Sequence, residues 1–165
     1  MNNFNHFYDS EERREVLSII VVNKDSVLSR IVDLFSARGY NIDSLTVAPI
    51  PNTEYSRITV VTLGIARTID QIVKQLNKLV PVLKVIEHNN VIEKDTVLIK
   101  ISLDQSLSDI DVLARSYNGA IHDVTDDAIV ISATDDPARI LSFIKLIEKY
   151  KPIEIVRSGV VAMER

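Results

Sequence analysis

Apolar positions along this chain alternate between two spacings. Val16-Leu17-Ser18-Ile19-Ile20-Val21-Val22 is a short β-branched run, which predicts a buried strand. Leu28, Ile31, Val32 and Phe35 then recur at helical spacing. Asp25 or Ser26 is placed to cap that helix by accepting a first-turn backbone N–H. Gly39 falls just past its end, where positive φ is cheap for glycine. Residues 40–48 read as a second strand, broken by Pro49-Ile50-Pro51-Asn52-Thr53, and residues 55–63 as a third strand hairpinned to it. Thr68-Ile69-Asp70-Gln71 has the form of a capping box. The helix after it carries Ile69, Ile72, Val73, Leu76 and Leu79 on one face, and residues 82–87 follow Pro81 as a fourth strand.

The same order then recurs. Residues 96–103 read as a strand, Ser106 as a cap, and Ile110, Leu113, Ala114 and Tyr117 as a helix face closed by Asn118-Gly119. Residues 120–124 and 128–132 form a hairpin around Thr125-Asp126-Asp127. Asp136-Pro137 opens a helix with proline at its first position, where a missing N–H is harmless. Ile140, Leu141, Ile144 and Ile147 form its face, and residues 153–161 read as the last strand. The fold class predicted is α+β, two tandem ferredoxin-like βαββαβ domains. We divide the chain into a flexible tail (1–13), a first domain (14–89) and a second domain (90–165). Each unit puts both helices on one sheet face and leaves the other bare. That face calls for pairing, between the halves or with another copy of the chain, and a homodimer is the commonest solution.

Composition narrows the functions. The formal charge of −4 and pI of about 5.4 argue against nucleic acid as a partner. There is no cysteine, which removes disulfides, thiolate catalysis and thiolate metal sites, and fits a cytoplasmic protein. No apolar run is long enough for a membrane span, and the start of the chain lacks a signal-peptide pattern. Catalytic machinery is not legible. His6, His88 and His122 fall in a tail, a linker and a hairpin strand, without metal-ligand spacing. A turn and a helix cap account for Asp126-Asp127 and Asp135-Asp136. Arg57 reads either as an interior or interface cation or as a solvated edge residue.

Two binding readings fit the architecture. An RNA-recognition module needs aromatics on its central strands, and Tyr55 is the only one there. The other reading is a small-molecule sensor, with a carboxylate held at the first helix N-terminus. Asn23 precedes that helix and Asn41 starts the strand after it, so that both amides can face one ligand. A turn role also explains either asparagine alone.

Leu28-Ser29-Arg30, Leu34-Phe35-Ser36, Arg38-Gly39-Tyr40-Asn41-Ile42 and Ser44-Leu45-Thr46-Val47-Ala48 together resemble the signature of the acetolactate synthase (acetohydroxyacid synthase) small, regulatory subunit family. Ser56-Arg57, Lys74-Gln75-Leu76, Lys78-Leu79-Val80 and Arg157-Ser158-Gly159-Val160-Val161 extend the resemblance over nearly all of the chain after the tail. It implies an N-terminal amino-acid-sensing ACT domain followed by an ACT-like domain. It implies a non-enzymatic subunit that binds and activates the catalytic subunit and confers feedback inhibition, typically by valine. Thiamine diphosphate, Mg²⁺ and FAD then belong to the catalytic subunit, with no cofactor in this chain. The effector, valine, leucine or isoleucine, is expected between paired ACT domains of a homodimer or larger homo-oligomer. Asn23 and Asn41 match the family's effector-binding asparagines, and Asp25, Ser26, Val27 and Ile42 complete the expected site. Ser26 stands where the family often has glycine. The alternative is a free-standing ACT sensor acting on another partner.

Overall fold

The computed structural model describes residues 11–88 and 90–165. Of the expected tail, residues 1–10, with His6, lie outside the described residues, and Arg13 already opens the first strand. The chain divides into two compact units. One runs through Ile92 and takes back Ala162–Arg165; the other is Glu93–Val161.

The first unit contains β1 (Arg13–Val22), α1 (Val27–Ser36), β2 (Ser44–Pro49), β3 (Tyr55–Gly64), α2 (Ala66–Leu76) and β4 (Val82–Glu87). Its sheet order is β2-β3-β1-β4, with every neighbouring pair antiparallel. Alternation along β1 sends Leu17, Ile19 and Val21 into a core shared with Ile31 and Phe35 of α1 and with Ile69, Ile72 and Leu76 of α2. Each large side chain buried there contributes about 1.5–3 kcal/mol of transfer free energy. Gly39, at φ +67°, supplies the left-handed turn that ends α1.

The face away from the helices is not bare. Val16, Ser18, Thr59 and Val61, which alternation turns away from α1 and α2, are all buried. The returning segment lies against this side of β3: Arg57 is half-buried and donates from Nη1 to the Ala162 carbonyl at 3.4 Å. Arg57 is therefore tied to the unit rather than a solvated edge residue.

The second unit contains β5 (Val91–Ser102), α3 (Leu107–Ser116), β6 (Gly119–Val124), β7 (Ala128–Asp135), α4 (Pro137–Ile147), a short 3₁₀ turn (Glu148–Tyr150) and β8 (Glu154–Arg157); β9 (Val161–Glu164) follows. Two residues of β5, Val91 and Ile92, still belong to the first unit. Sheet order is β6-β7-β5-β8, and β9 also pairs with β5. Val97, Ile99 and Ile101 pack with Ile110, Phe143 and Ile147. A Cβ on Gly119 would lie 3.0 Å from the carbonyl oxygens of Ala114 and Ser132, so any larger residue there must push the backbone apart by a few tenths of an ångström.

Several local expectations are corrected. The strand read at 40–48 starts only at Ser44, because the Tyr40 amide still bonds to the Phe35 carbonyl at the helix end. Thr68 does not cap α2. That helix begins at Ala66, and the Thr68 amide already bonds to the Ile65 carbonyl. The last strand, read as 153–161, is two strands. The chain turns aside at Ser158, whose hydroxyl donates to buried Asp95, before β9 begins.

Candidate effector site

The turn into α1 is built mainly from backbone. The Asn23 amide donates to the Glu54 carbonyl at 2.8 Å, and the Lys24 amide to the Val22 carbonyl at 2.9 Å. Ser26 occupies the cap position at φ 66° and ψ 0°, and makes no side-chain cap bond. The expectation that Asp25 or Ser26 caps α1 through its side chain fails for a geometric reason. A side-chain cap uses an extended backbone, and Ser26 is left-handed. A residue other than glycine rarely holds this conformation, and doing so carries strain. Ser26 instead offers its carbonyl to the Arg30 amide at 3.2 Å and the Ser29 hydroxyl at 2.9 Å. Helix geometry gives the first-turn amides of Leu28 and Ser29 no intrahelical acceptor. The first turn carries no acidic residue. Asn23, Lys24, Asp25 and Ser26 are exposed, while Val27 is buried in the core. The helix start is thus exposed and uncapped by any side chain, with Asn23 beside it.

Asn41 lies elsewhere. It sits in the loop between α1 and β2, exposed, with Nδ2 donating to Asp43 at 2.6 Å. Its carbonyl accepts from the Thr62 hydroxyl at 2.6 Å, and half-buried Ile42 packs against the core. Asn23 is thus tied to the start of β3 at Glu54, and Asn41 to its far end at Thr62. Those anchors are eight residues apart, and at about 3.3 Å per extended residue they are separated by roughly 26 Å. The length of α1 alone, ten residues, is about 15 Å. Within one chain the two amides cannot meet on one small amino acid, which corrects the expectation that they share a ligand in a single unit.

The sequence reading missed a buried histidine. His88, expected in a linker, has a side chain only 2% exposed. Its Nε2 is 2.8 Å from Ser18 Oγ, and its Nδ1 is 2.8 Å from Glu164 Oε2. Hydrogen bonding to His88, aided by the Asn90 amide, holds the Glu164 carboxyl below its ordinary range. Serine, histidine and carboxylate in a chain have the connectivity of a nucleophilic triad. Ser18 is fully buried on β1 and beyond the reach of a substrate, so the chain of bonds is structural. It fastens the returning segment to β1.

The acidic pairs in the second unit are also structural, although not as expected. Asp136 sits at the α4 cap position without a side-chain cap bond, and accepts from Lys94 at 2.8 Å instead. Asp135 is buried and receives Arg139 Nε, Asn118 Nδ2 at 3.0 Å and the Asp136 amide at 2.8 Å. Arg139 holds its carboxyl below the usual range against the opposing effect of burial. Asp127 accepts from the Thr125 hydroxyl within the hairpin turn, as expected. Among the described residues no cluster of His, Cys, Asp or Glu is arranged to hold a metal ion. No described helix is long and apolar enough to cross a membrane.

A doubled βαββαβ chain is the architecture of tandem ACT domains. Residues 17–84 match the family described as the AHAS small subunit-like ACT domain, and residues 94–165 match that of the small subunit of acetolactate synthase. The acetolactate synthase small subunit of Haemophilus influenzae is 40% identical over 159 residues, covering 92% of this chain and 96% of that protein. The isozyme 3 small subunit of Escherichia coli is 36% identical over 156 residues, with the same coverage. The crystal structure of the Thermotoga maritima acetolactate synthase small subunit superposes with a TM-score of 0.86 at 35% identity, covering 93% of this chain and 98% of that one. The chain belongs to the acetolactate synthase small-subunit family. It is a regulatory subunit whose counterpart is a large, catalytic one.

Proposed function

We propose that this chain binds and activates the acetolactate synthase catalytic subunit and makes it sensitive to valine, leucine or isoleucine bound between the ACT domains of two copies. The sensing belongs to residues 14–89, and both subunits work in the cytoplasm. Thiamine diphosphate, Mg²⁺ and FAD belong to the catalytic subunit.

The observation that carries this reading is that Asn23 and Asn41 stand at opposite ends of α1. β2 is an edge strand of its sheet. Two copies joined β2 to β2 about a two-fold axis run those strands antiparallel, and α1 of each copy antiparallel to the other. The helix start of one copy then comes level with the partner's Asn41 and Ile42. The ligand carboxylate meets the amides around Asp25–Val27, aided by the helix dipole. The ammonium meets the oxygens of Asn23 and the partner's Asn41, and the aliphatic side chain packs near Val27 and the partner's Ile42. A ligand shared by two copies favours one pairing geometry over another. It shifts that equilibrium by its differential affinity and no more.

Mixing two inactive variants tests the arrangement. Asn23→Ala and Asn41→Ala each abolish inhibition by the effector in the reconstituted holoenzyme. In a mixed dimer, one seam site then carries both changes and the other carries neither, so co-expression restores partial inhibition. No restoration would place both residues in the same copy's site. Unchanged inhibition in both single variants would remove them from the site.

A further inference from the structure

Between α2 and β4 the chain turns over residues 77–81, and Val80 at the apex is 96% exposed, the most of any large apolar residue among those described. The turn is closed by its own backbone. The Lys78 amide donates to the Gln75 carbonyl at 3.1 Å, that of Leu79 to Leu76 at 3.0 Å, and that of Val82 to Leu79 at 2.9 Å. Pro81 adds a fixed φ. Leu79 packs against the core, and Val80 stands in water. Next along, Val82 pairs with Val21 and Lys84 with Ile20, so Leu83 is the extra residue of a β-bulge on the edge strand β4, 48% exposed. Bulges at sheet edges re-aim a side chain. One apolar residue in water is ordinary. Two of them, three positions apart on a turn bonded shut, make a rigid apolar corner.

We propose that this corner docks on the catalytic subunit, with Val80 and Leu83 entering an apolar pocket whose rim carries carboxylates. The charges select that occupant. The chain as a whole stands at −4, yet residues 71–86 hold three lysines and no acidic residue. Lys74 is paired with Asp70 at 2.5 Å. Lys78 and Lys84, which flank Val80 and Leu83, are exposed and have no ion-pair partner among the described residues. In the adjoining turns, Lys24 and Asp25 offset each other and residues 50–54 add only Glu54, so the corner stays basic. An apolar centre with a charged rim is the plan of a specific interface. A second copy would bring the same lysines and be repelled, whereas an acidic rim is attracted. The corner is also tied to the effector end of the unit. The Val22 amide donates to the Pro81 carbonyl at 3.0 Å, one residue before Asn23. A ligand at the start of α1 is thus a single backbone bond away from the turn that meets the catalytic subunit. The inference rests on the function proposed above and adds where that subunit is met.

Titrating the full chain into the catalytic subunit gives the concentration for half-maximal stimulation. Val80→Asp raises it by roughly tenfold or more, as for a charge placed at the centre of a contact. Because Val80 stands in water, the melting temperature of that variant and its binding of effector by calorimetry stay as they were. Leu83→Asp raises the half-point similarly. Lys78→Glu and Lys84→Glu raise it less and flatten its dependence on salt, as rim charges do. Val112→Asp, at a 66% exposed valine of α3, leaves it unchanged. A half-point that does not move in Val80→Asp and Leu83→Asp overturns the proposal. So does an equal loss in Val112→Asp. So does a Val80→Asp chain whose own oligomeric state is lost in sedimentation velocity, which would assign the corner to a second copy. An unaltered chain that never stimulates the catalytic subunit removes the function proposed above, and the corner's role with it.

Discussion

The two units share one topology and solve the burial of polar groups differently. The first buries hydroxyls, those of Ser18, Ser56, Thr59 and Thr62. The second buries carboxylates, Asp95 and Asp135, which face each other across β5 and β7. A hydroxyl needs one or two hydrogen bonds and stays neutral. A buried carboxylate must bring its own cation, and two placed directly opposite repel. The second unit supplies Arg157 to Asp95 and Arg139 to Asp135. Arg139 is itself fixed by the Ser116 carbonyl at 2.7 Å and by the Tyr117 ring at 5.0 Å. The first unit is thus closed by packing, hydroxyl bonds and the Ser18–His88–Glu164 chain, and the second by ion pairs at one end of its sheet.

Removing one partner of a buried pair separates the units most sharply. Arg157→Met strands Asp95 and lowers the stability of the second unit by roughly 3 kcal/mol. Hydrogen exchange should show this loss in β5 and β8 with little change in α1 or β3. If protection falls equally in both units, they unfold as one and the contrast fails.

Acid should act in the same direction. The Asp135 pKa is depressed in the folded chain, chiefly by Arg139. Its contribution is present above the ordinary carboxylate range and is lost as pH falls through the folded value. The second unit therefore loses protection below about pH 4, and Asp135→Asn flattens that part of its profile; Glu164, also depressed but half-exposed, gives the first unit a weaker loss in the same range. A first unit that opens earlier in acid would reverse the comparison.

In the first unit the polar lever is the Ser18–His88–Glu164 chain. His88→Ala leaves Ser18 without its partner and frees Glu164, lowering that unit's stability by about 2 kcal/mol. Urea titration followed by exchange at β1 measures it, and loss confined to the second unit would contradict it. The smallest expected effect is Ser26→Gly. It relieves a left-handed serine and raises first-unit stability by about 0.5 kcal/mol, after the entropy of a more flexible unfolded chain is counted. A fall in melting temperature would mean that the serine side chain makes a favourable contact.

Much of this was legible from spacing. The strands β1, β3 and β4 and the apolar faces of α1, α2 and α3 follow from apolar spacing, whereas in α4 Leu141, expected on the face, is exposed and Phe143 is buried in its place. Side-chain caps were not legible: a serine before a helix does not disclose its backbone angle, as at Ser26, and Thr68 fails because α2 starts two residues earlier, at Ala66. His88 was hidden for a different reason. Its partners lie 70 and 76 positions away, so no local pattern signals them. The separation of Asn23 from Asn41 was within reach of sequence, since ten helical residues between them already exceed the span of an amino acid. The family resemblance named the residues, and the structure places them at opposite ends of α1.

The return of Ala162–Arg165 to the first unit also has a consequence for biosynthesis. Domains generally fold in order as they leave the ribosome, the N-terminal one first. Here the His88 bond to Glu164 and the Arg57 bond to the Ala162 carbonyl can form only after the whole second unit has been translated. The first unit is begun first and finished last. A chain stopped before Ala162 lacks both closing bonds, Arg57 to Ala162 and His88 to Glu164, so its first unit is held less firmly than that of the full chain.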